Sequence, residues 1–309
     1  MPKIPKNVLI ILAFFSIYVI WGSTYLLNKI VVAELPPFML ASIRFIIAGI
    51  LIFIIAIISG KSIKVNAQQF KNTLIAGFLF LTFGNGLMVW ALMFVDSGLT
   101  ALEVSAQPLV VLILMRIHQG KKIMLMSYIG VILGIIGIYL LVSQKEIISQ
   151  EGSIRGMIVI FVCMLSWAYG SLFVGNANLP SNYFVNTGYQ MVLGGAMLLI
   201  VSLCTGETWT LPTMWSSKSL WSMALLILFG SIVAFTSFNY LLKIVSPDKV
   251  ATSTYVNPII ALVLGWYILD EQITSQSIVA AFILLTGVYF INTSKKIKIF
   301  QRFFSRSDK

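Results

Sequence analysis

Charge is what this chain lacks. Only 10% of its 309 residues are Asp, Glu, Lys or Arg, while 59% are hydrophobic. A soluble globular domain carries about 25% charged residues, and no stretch here is polar enough to form one. Histidine occurs once, at His118 between two apolar runs, so no imidazole relay lies inside one. The two cysteines, Cys163 and Cys204, both fall within apolar runs. They read as small core hydrophobes, not as a disulfide or a metal site. No cofactor or metal is implied. Acids are few, and Asp96 and Asp270 stand at segment ends on separate hairpins, which suits no paired-aspartate protease. These shortages weigh against an enzyme.

What is abundant is long apolar sequence. Windows bounded by charge, Pro or Gly predict an all-α polytopic membrane protein of ten helices, at 8–28, 37–58, 72–95, 98–117, 124–143, 154–175, 183–204, 219–242, 248–269 and 274–293. The first run follows Lys3 and Lys6 but is too long for a signal peptide and lacks its cleavage pattern, so it reads as a retained helix. The net charge of +11 sits in short connections and in the C-terminal tail, so it reports topology and not nucleic-acid binding. With the N-terminus inside, sixteen Lys and Arg fall on the cytoplasmic side and four, Lys29, Lys145, Arg155 and Lys218, on the other. Both termini are therefore expected in the cytoplasm.

The two halves repeat. Trp21-Gly22-Ser23 answers Tyr169-Gly170-Ser171, and Asn28 answers Asn176, at an offset of 148. Arg44, Gly49 and Gly60 fall on Gln190, Gly195 and Gly206 at 146, and Gln107-Pro108 falls on Asn257-Pro258 at 150. The predicted organisation is a first repeat over 1–143, a linker over 144–153, a second repeat over 154–293 and a basic tail over 294–309. Five helices per half is odd, so the halves would cross in opposite senses. This inverted-topology repeat is typical of secondary transporters, whose substrate sites lie near the midplane between halves.

Polar groups at that depth are the candidates. Arg44 lies seven residues past Pro37, roughly 10 Å into the second helix at 1.5 Å per residue. It either snorkels to the interface or faces the bundle interior. Glu103 lies at similar depth in the fourth helix, and the two are expected to pair, as a static ion pair or as a functional acid that binds a cationic group or carries a proton. Pro108 and Pro258 predict mid-helix kinks that free the carbonyls of Val104 and Thr254, either for packing or as hinges beside a cavity. Gln107 and Asn257 add amides there. Asn85 and Trp90, Asn239 and Tyr240, Trp21 and Tyr25, Trp167 and Tyr169, with Gln190 opposite Arg44, complete the candidates for holding an organic substrate. Each aromatic alone could equally be an interfacial anchor. Gly130-x-x-x-Gly134 marks close helix packing, within the chain or in a homodimer.

The block Ile20-Trp21-Gly22-Ser23-Thr24, the pattern Pro36-Pro37…Arg44-Phe45…Ala48-Gly49, the prolines of helices four and nine, and Gly287 resemble the EamA-type transporters of the drug/metabolite transporter superfamily. The resemblance implies ten helices in two EamA repeats, a bacterial inner membrane, and export of small metabolites such as amino acids, or of drugs. Proton coupling is left open. The family often carries Gly-Glu after helices four and nine. Here the second half has Asp270-Glu271 and the first has Gly120-Lys121; if that acid caps the following helix, the first half does without it. An uptake permease or exchanger, a channel and a non-transporting scaffold stand beside the exporter as alternatives.

Overall fold

A computed structural model of the chain describes residues 5–120, 125–144, 151–245, 250, 253–254 and 256–292. Among these the ordered elements are helical, with no strand. Seven are long and apolar enough to cross a membrane: α1 (Asn7–Val32), α2 (Pro37–Ile58), α3 (Ala67–Ala91), α4 (Ser97–His118), α6 (Ser153–Asn176), α7 (Tyr183–Cys204) and α8 (Ser217–Ile244). Three shorter apolar helices are α5 (Leu125–Val142), α9 (Asn257–Leu269) and α10 (Ser275–Asn292). The outward faces are apolar, as a lipid solvent requires: Ile58 is 81% exposed and Phe282 73%.

Local chemistry sets the boundaries. Pro37 opens α2, where its missing N–H leaves no hydrogen bond unmade. Asn66 and Gln69 form a capping box before α3, Asn182 caps α7 and Ser216 caps α8. Gly60 after α2 and Gly206 after α7 take left-handed φ of 68° and 70°, which only glycine adopts without strain.

Two sequence expectations change here. The fourth helix is broken, not kinked: Ser105 and Ala106 form a turn, and a new helix starts at Gln107. Pro108 thereby occupies a first turn, where its lack of an N–H is tolerated, instead of distorting an unbroken helix. Likewise α9 begins at Asn257 with Pro258 in its first turn. Of the stretch predicted helical before it, residues 248, 249, 251, 252 and 255 lie outside the described residues, as does the basic tail.

α2 packs along α7, and α5 along α10, while α1, α3, α4, α6, α8 and α9 complete the bundle. The α2–α7 contact is reciprocal. A Cβ on Gly49 would stand 2.9 Å from the Val192 nitrogen, and one on Gly195 would stand 2.9 Å from the Ile46 nitrogen. The Gly130–Gly134 stripe is filled within the chain, because Gly287 of α10 lies against the Gly130 oxygen and the Gly134 nitrogen. Three stretches are π-helical, Ser16–Ile20 in α1, Phe78–Gly86 in α3 and Leu226–Phe235 in α8. Such stretches loosen the i→i−4 ladder and often mark functional sites.

Candidate functional site: a central cavity

The helices enclose a cavity of about 130 Å³. α1 contributes Trp21, Thr24, Tyr25 and Asn28, which follow one helical stripe at i, i+3, i+4 and i+7. α2 contributes Arg44, α3 Asn85, α4 Val104 and Gln107, α6 Trp167 and Ser171, and α8 Gly230, Phe235, Phe238 and Leu242. Asn257 and the residues just before it close the wall.

The aromatic side of the cavity is a cluster of rings in mutual contact, some of them edge to face. Trp21 lies 5.7 Å from Trp167 at 84° and 5.0 Å from Phe238, and Trp167 lies 5.4 Å from Phe238. Such edge-to-face geometry sets the positive ring edge on the negative face of a neighbour. Trp21 also donates its indole N–H to the Gly230 carbonyl, 3.3 Å away inside the α8 π-helical stretch. Thus the irregular backbone of α8 positions the central aromatic of α1.

Arg44 provides the polar side. It is 3% exposed. Its Nε donates to Ser231 Oγ at 2.8 Å and its Nη1 to Asn28 Oδ1 at 3.2 Å. Both partners are neutral. The expected ion pair with Glu103 is not formed, although both residues lie within the described segments. Equal depth did not mean a shared face: Arg44 reaches toward α1 and α8, whereas Glu103 sits beside Cys163 of α6 and off the cavity wall. Gln107 donates to the Met164 carbonyl at 3.1 Å and ties the second half of α4 to α6. In the orientation that satisfies its neighbours, the Asn257 amide donates to the carbonyls of Ile17 and Tyr18, across to α1. Asn85 Oδ1 is buried with no hydrogen-bond partner among the described residues.

The other candidates lie elsewhere. Gln190 and Asn239 join Asn186 and Thr187 in a buried amide network between α7 and α8: Asn239 donates to Thr187 Oγ1 and Gln190 Oε1, and Gln190 donates to Asn186 Oδ1. Trp90 packs against Phe94 with ring centroids 4.8 Å apart and carries the Arg155 guanidinium 4.4 Å above its ring. Tyr240 packs on Tyr183, and Tyr169 on His118. Asn28, Ser231, Phe235 and Phe238 were not among the sequence candidates. Asn28 carried a signal, in the stripe it shares with Trp21 and in its match to Asn176. Ser231 is a single hydroxyl in an apolar run.

One end of the bundle is bound together by carboxylates. Glu207 accepts from the Phe38 and Met39 N–H groups at 3.0 and 2.7 Å, capping α2. Glu271 accepts from Ser97 N at 2.8 Å and Gly98 N at 3.0 Å. It therefore caps α4 in the first half and not the helix that follows it. Glu34 accepts from Ser216 N and Oγ, both at 2.7 Å, and from the Ser219 hydroxyl, at the start of α8. Helix N-termini favour such anions. Beside Glu271, Lys29 donates to the Leu92 and Val95 carbonyls and lies 3.9 Å from Asp96. Burial and the neighbouring Glu271 carboxylate raise the Asp96 pKa, against the lowering by Lys29. The hydroxyls of Ser219 and Ser216 hold the Glu34 carboxyl below the usual carboxylate range. The cavity begins one turn inside this end, at Asn28, and reaches Leu242 near the far end of α8.

The model of the EamA-like transporter family matches the sequence twice, over residues 8–143 and 154–293. The chain belongs to the EamA-like transporter family. This EamA-like transporter is 32% identical over 92% of its length to the uncharacterized inner membrane transporter YedA of Escherichia coli strain K12, of which it covers 90%. It is 24% identical to the uncharacterized transporter YoaV of Bacillus subtilis, covering 92% of this chain and 96% of that one. The WAT1-related protein At3g02690, chloroplastic, of Arabidopsis thaliana is 26% identical over 90% of this chain and 68% of its own. One solved crystal structure superposes with a TM-score of 0.69 over 97% of this chain and 99% of that one, at 14% identity, a likeness of fold. The protein is thus a multi-pass membrane transporter.

Proposed function

We propose that this transporter is a secondary carrier of the bacterial inner membrane that exports small organic metabolites by alternating access. It crosses ten times as two inverted five-helix halves, with both termini in the cytoplasm. The observation that carries this reading is a cavity walled by helices of both halves, beside an end of the bundle where carboxylates reach from one half to the other. By the count of basic residues that end is extracytoplasmic; in this reading the carboxylates close it, so the cavity faces inward. A carrier needs such a closable end; a channel needs a path through it.

The inverted repeat has independent support. The family model matches twice. The π-helical stretches of α3 and α8, and the breaks before Gln107 and Asn257, fall at equivalent positions. The reciprocal packing of Gly49 on Val192 and Gly195 on Ile46 is what a two-fold axis in the membrane plane produces. The names of the bacterial relatives as transporters, YedA in the inner membrane, agree with the location. In this reading Arg44 orients the polar end of the substrate and Trp21, Trp167, Phe235 and Phe238 hold its body. The breaks at Pro108 and Pro258 flex, and Glu103 is the candidate for coupling to protons. No homodimer is required.

The test is metabolite profiling of spent medium from cells expressing wild type or Arg44→Gln at matched membrane levels, followed by counterflow in liposomes with the compound found. Export by wild type alone, with saturable counterflow, supports the exporter. Depletion of the medium instead indicates an uptake permease or exchanger, non-saturable flux a channel, and no flux a scaffold.

A further inference from the structure

We infer that the cavity recognises an organic anion, a carboxylate on an aromatic or apolar body with no ammonium group, and that Arg44 is the residue that binds the carboxylate. The inference rests on the carrier reading above and specifies its substrate class. Arg44 is the one charged side chain on the cavity wall as described. It is buried, and among the described residues no carboxylate reaches it. Its two hydrogen bonds go to a serine hydroxyl and an asparagine oxygen. A guanidinium has five N–H donors, and those on Nη2 have no acceptor among the described residues. That edge lies beside Gly230, where a Cβ would stand 3.1 Å from Nη2. A buried cation without a counter-charge is costly, and a planar fork aimed into a cavity matches a carboxylate in geometry and charge.

Among the described residues, the acids near this bundle region are engaged or placed elsewhere. Glu34, Glu207 and Glu271 cap helices at the bound end, Asp96 lies beside Lys29, and Glu103 is off the wall. An amino acid would therefore bring its ammonium group into a cavity with a fixed positive charge and no described carboxylate to receive it. The rings of Trp21, Trp167 and Phe238 on the same cavity wall supply an apolar surface for a flat body. Asn85 Oδ1, buried on the same wall and unpartnered among the described residues, offers an acceptor to a hydroxyl on that body.

The experiment compares four probes with one body and different heads: phenylacetate, phenylalanine, phenethylamine and 2-phenylethanol. Their binding to the full-length detergent-purified protein is read by tryptophan fluorescence, since Trp21 and Trp167 line the site, and by the shift in melting temperature. The expected result is a Kd for phenylacetate at least tenfold below those of the other three. Arg44→Gln should erase that preference when binding is read well below the variant's own melting temperature. Arg44→Lys, which keeps the charge but loses the fork, should keep the preference with weaker binding. Equal or tighter binding of phenylalanine or phenethylamine overturns the inference, as does binding of none of the four. The preference is measured on wild type, so it is decided even if Arg44→Gln does not fold. Liposome flux separates the two claims. Saturable flux of phenylalanine or phenethylamine without phenylacetate removes the anion and leaves the carrier, whereas selective phenylacetate binding with no flux leaves the anion site and removes the carrier.

Discussion

Gly49 and Gly195, 146 positions apart, each sit where the other's helix backbone passes. A Cβ at Gly49 would meet Val192 Cγ2 at 2.7 Å, and one at Gly195 would meet Ile46 Cγ1 at 2.8 Å, and Ile46 and Val192 are themselves 146 apart. Ser42 reinforces the seam by donating to the Gly195 carbonyl at 3.0 Å. This α2–α7 seam joins the first and second halves. Small residues permit such close approach where lipid gives helices no hydrophobic reason to associate.

Adding one methyl on either side of this seam should therefore cost similar stability. Gly49→Ala and Gly195→Ala are each expected to destabilise by about 1–3 kcal/mol, the range for overpacking. Thermal melts of the purified protein in detergent read it directly. A neutral result at both positions would mean that α2 and α7 have room to separate.

Gly230→Ala has a different expected signature. Its methyl would meet Thr24 Cγ2 at 2.8 Å and Arg44 Nη2 at 3.1 Å. The Arg44 end can turn aside, but Thr24 is stiff at χ1, so a destabilisation of about 1–3 kcal/mol is expected while the guanidinium leaves its place. Substrate affinity should fall about tenfold, or ~1.4 kcal/mol. Binding measured well below the variant's own melting temperature separates lost affinity from misfolding.

The spans were legible because the apolar runs are long and the connections short and polar. The cavity was legible in part. Trp21, Tyr25 and Arg44 stood out as aromatic or charged residues in apolar helices, and both proline sites did mark backbone breaks. What sequence could not supply was azimuth. Depth along a helix follows from counting residues, so Arg44 and Glu103 looked like partners. Which way each side chain points depends on α3, α6 and α8, and the π-helical stretches in α3 and α8 change the phase of the faces that follow. The caps were hidden for a related reason: Glu271 serves Ser97, 174 positions earlier, and no local pattern records such a pairing.

If those caps hold one end shut, weakening them should open it. The double variant Glu207→Gln, Glu271→Gln keeps the side-chain shapes and removes the charge at two helix N-termini. Capping contributions of about 0.5–2 kcal/mol each set the expected scale of destabilisation. In a background lacking Cys163 and Cys204, Asn28→Cys should be labelled faster by a membrane-impermeant thiol reagent added outside the cell. Unchanged labelling with lowered stability would make the caps structural only.

Acid should act on the same end through Glu34. Its folded-state pKa lies below the unfolded value because Ser216 and Ser219 donate to the ionised form. Ionised Glu34 therefore contributes stability above the unfolded pKa, and this is lost as pH falls through the folded one. Wild type should lose more melting temperature than Glu34→Gln on going from neutral pH to pH 4. Equal losses would show that the serine contacts do not favour the charge. Asp96 acts in the opposite sense: its raised pKa costs stability as pH rises from the unfolded toward the folded value. The Glu34 effect is thus read as the difference between two proteins and not from wild type alone.

Arg44 and Glu103 supply the last test, because their separation makes a quantitative statement. If they formed a buried pair, removing either would strand the other, and the double variant would be much less damaged than the sum of the singles. Among the described residues neither a hydrogen bond nor an ion pair joins them, and each turns to a different part of the bundle. The expected effects of Arg44→Gln and Glu103→Gln on stability are additive within about 0.5 kcal/mol. Their effects on transport should differ in kind. Arg44→Gln should abolish preference among substrates, while Glu103→Gln should leave substrate binding intact and remove the dependence of liposome flux on an imposed pH gradient. Strong coupling in the double-mutant cycle would restore the static pair. A pH-gradient dependence that survives Glu103→Gln would place proton coupling, where it exists, on another group.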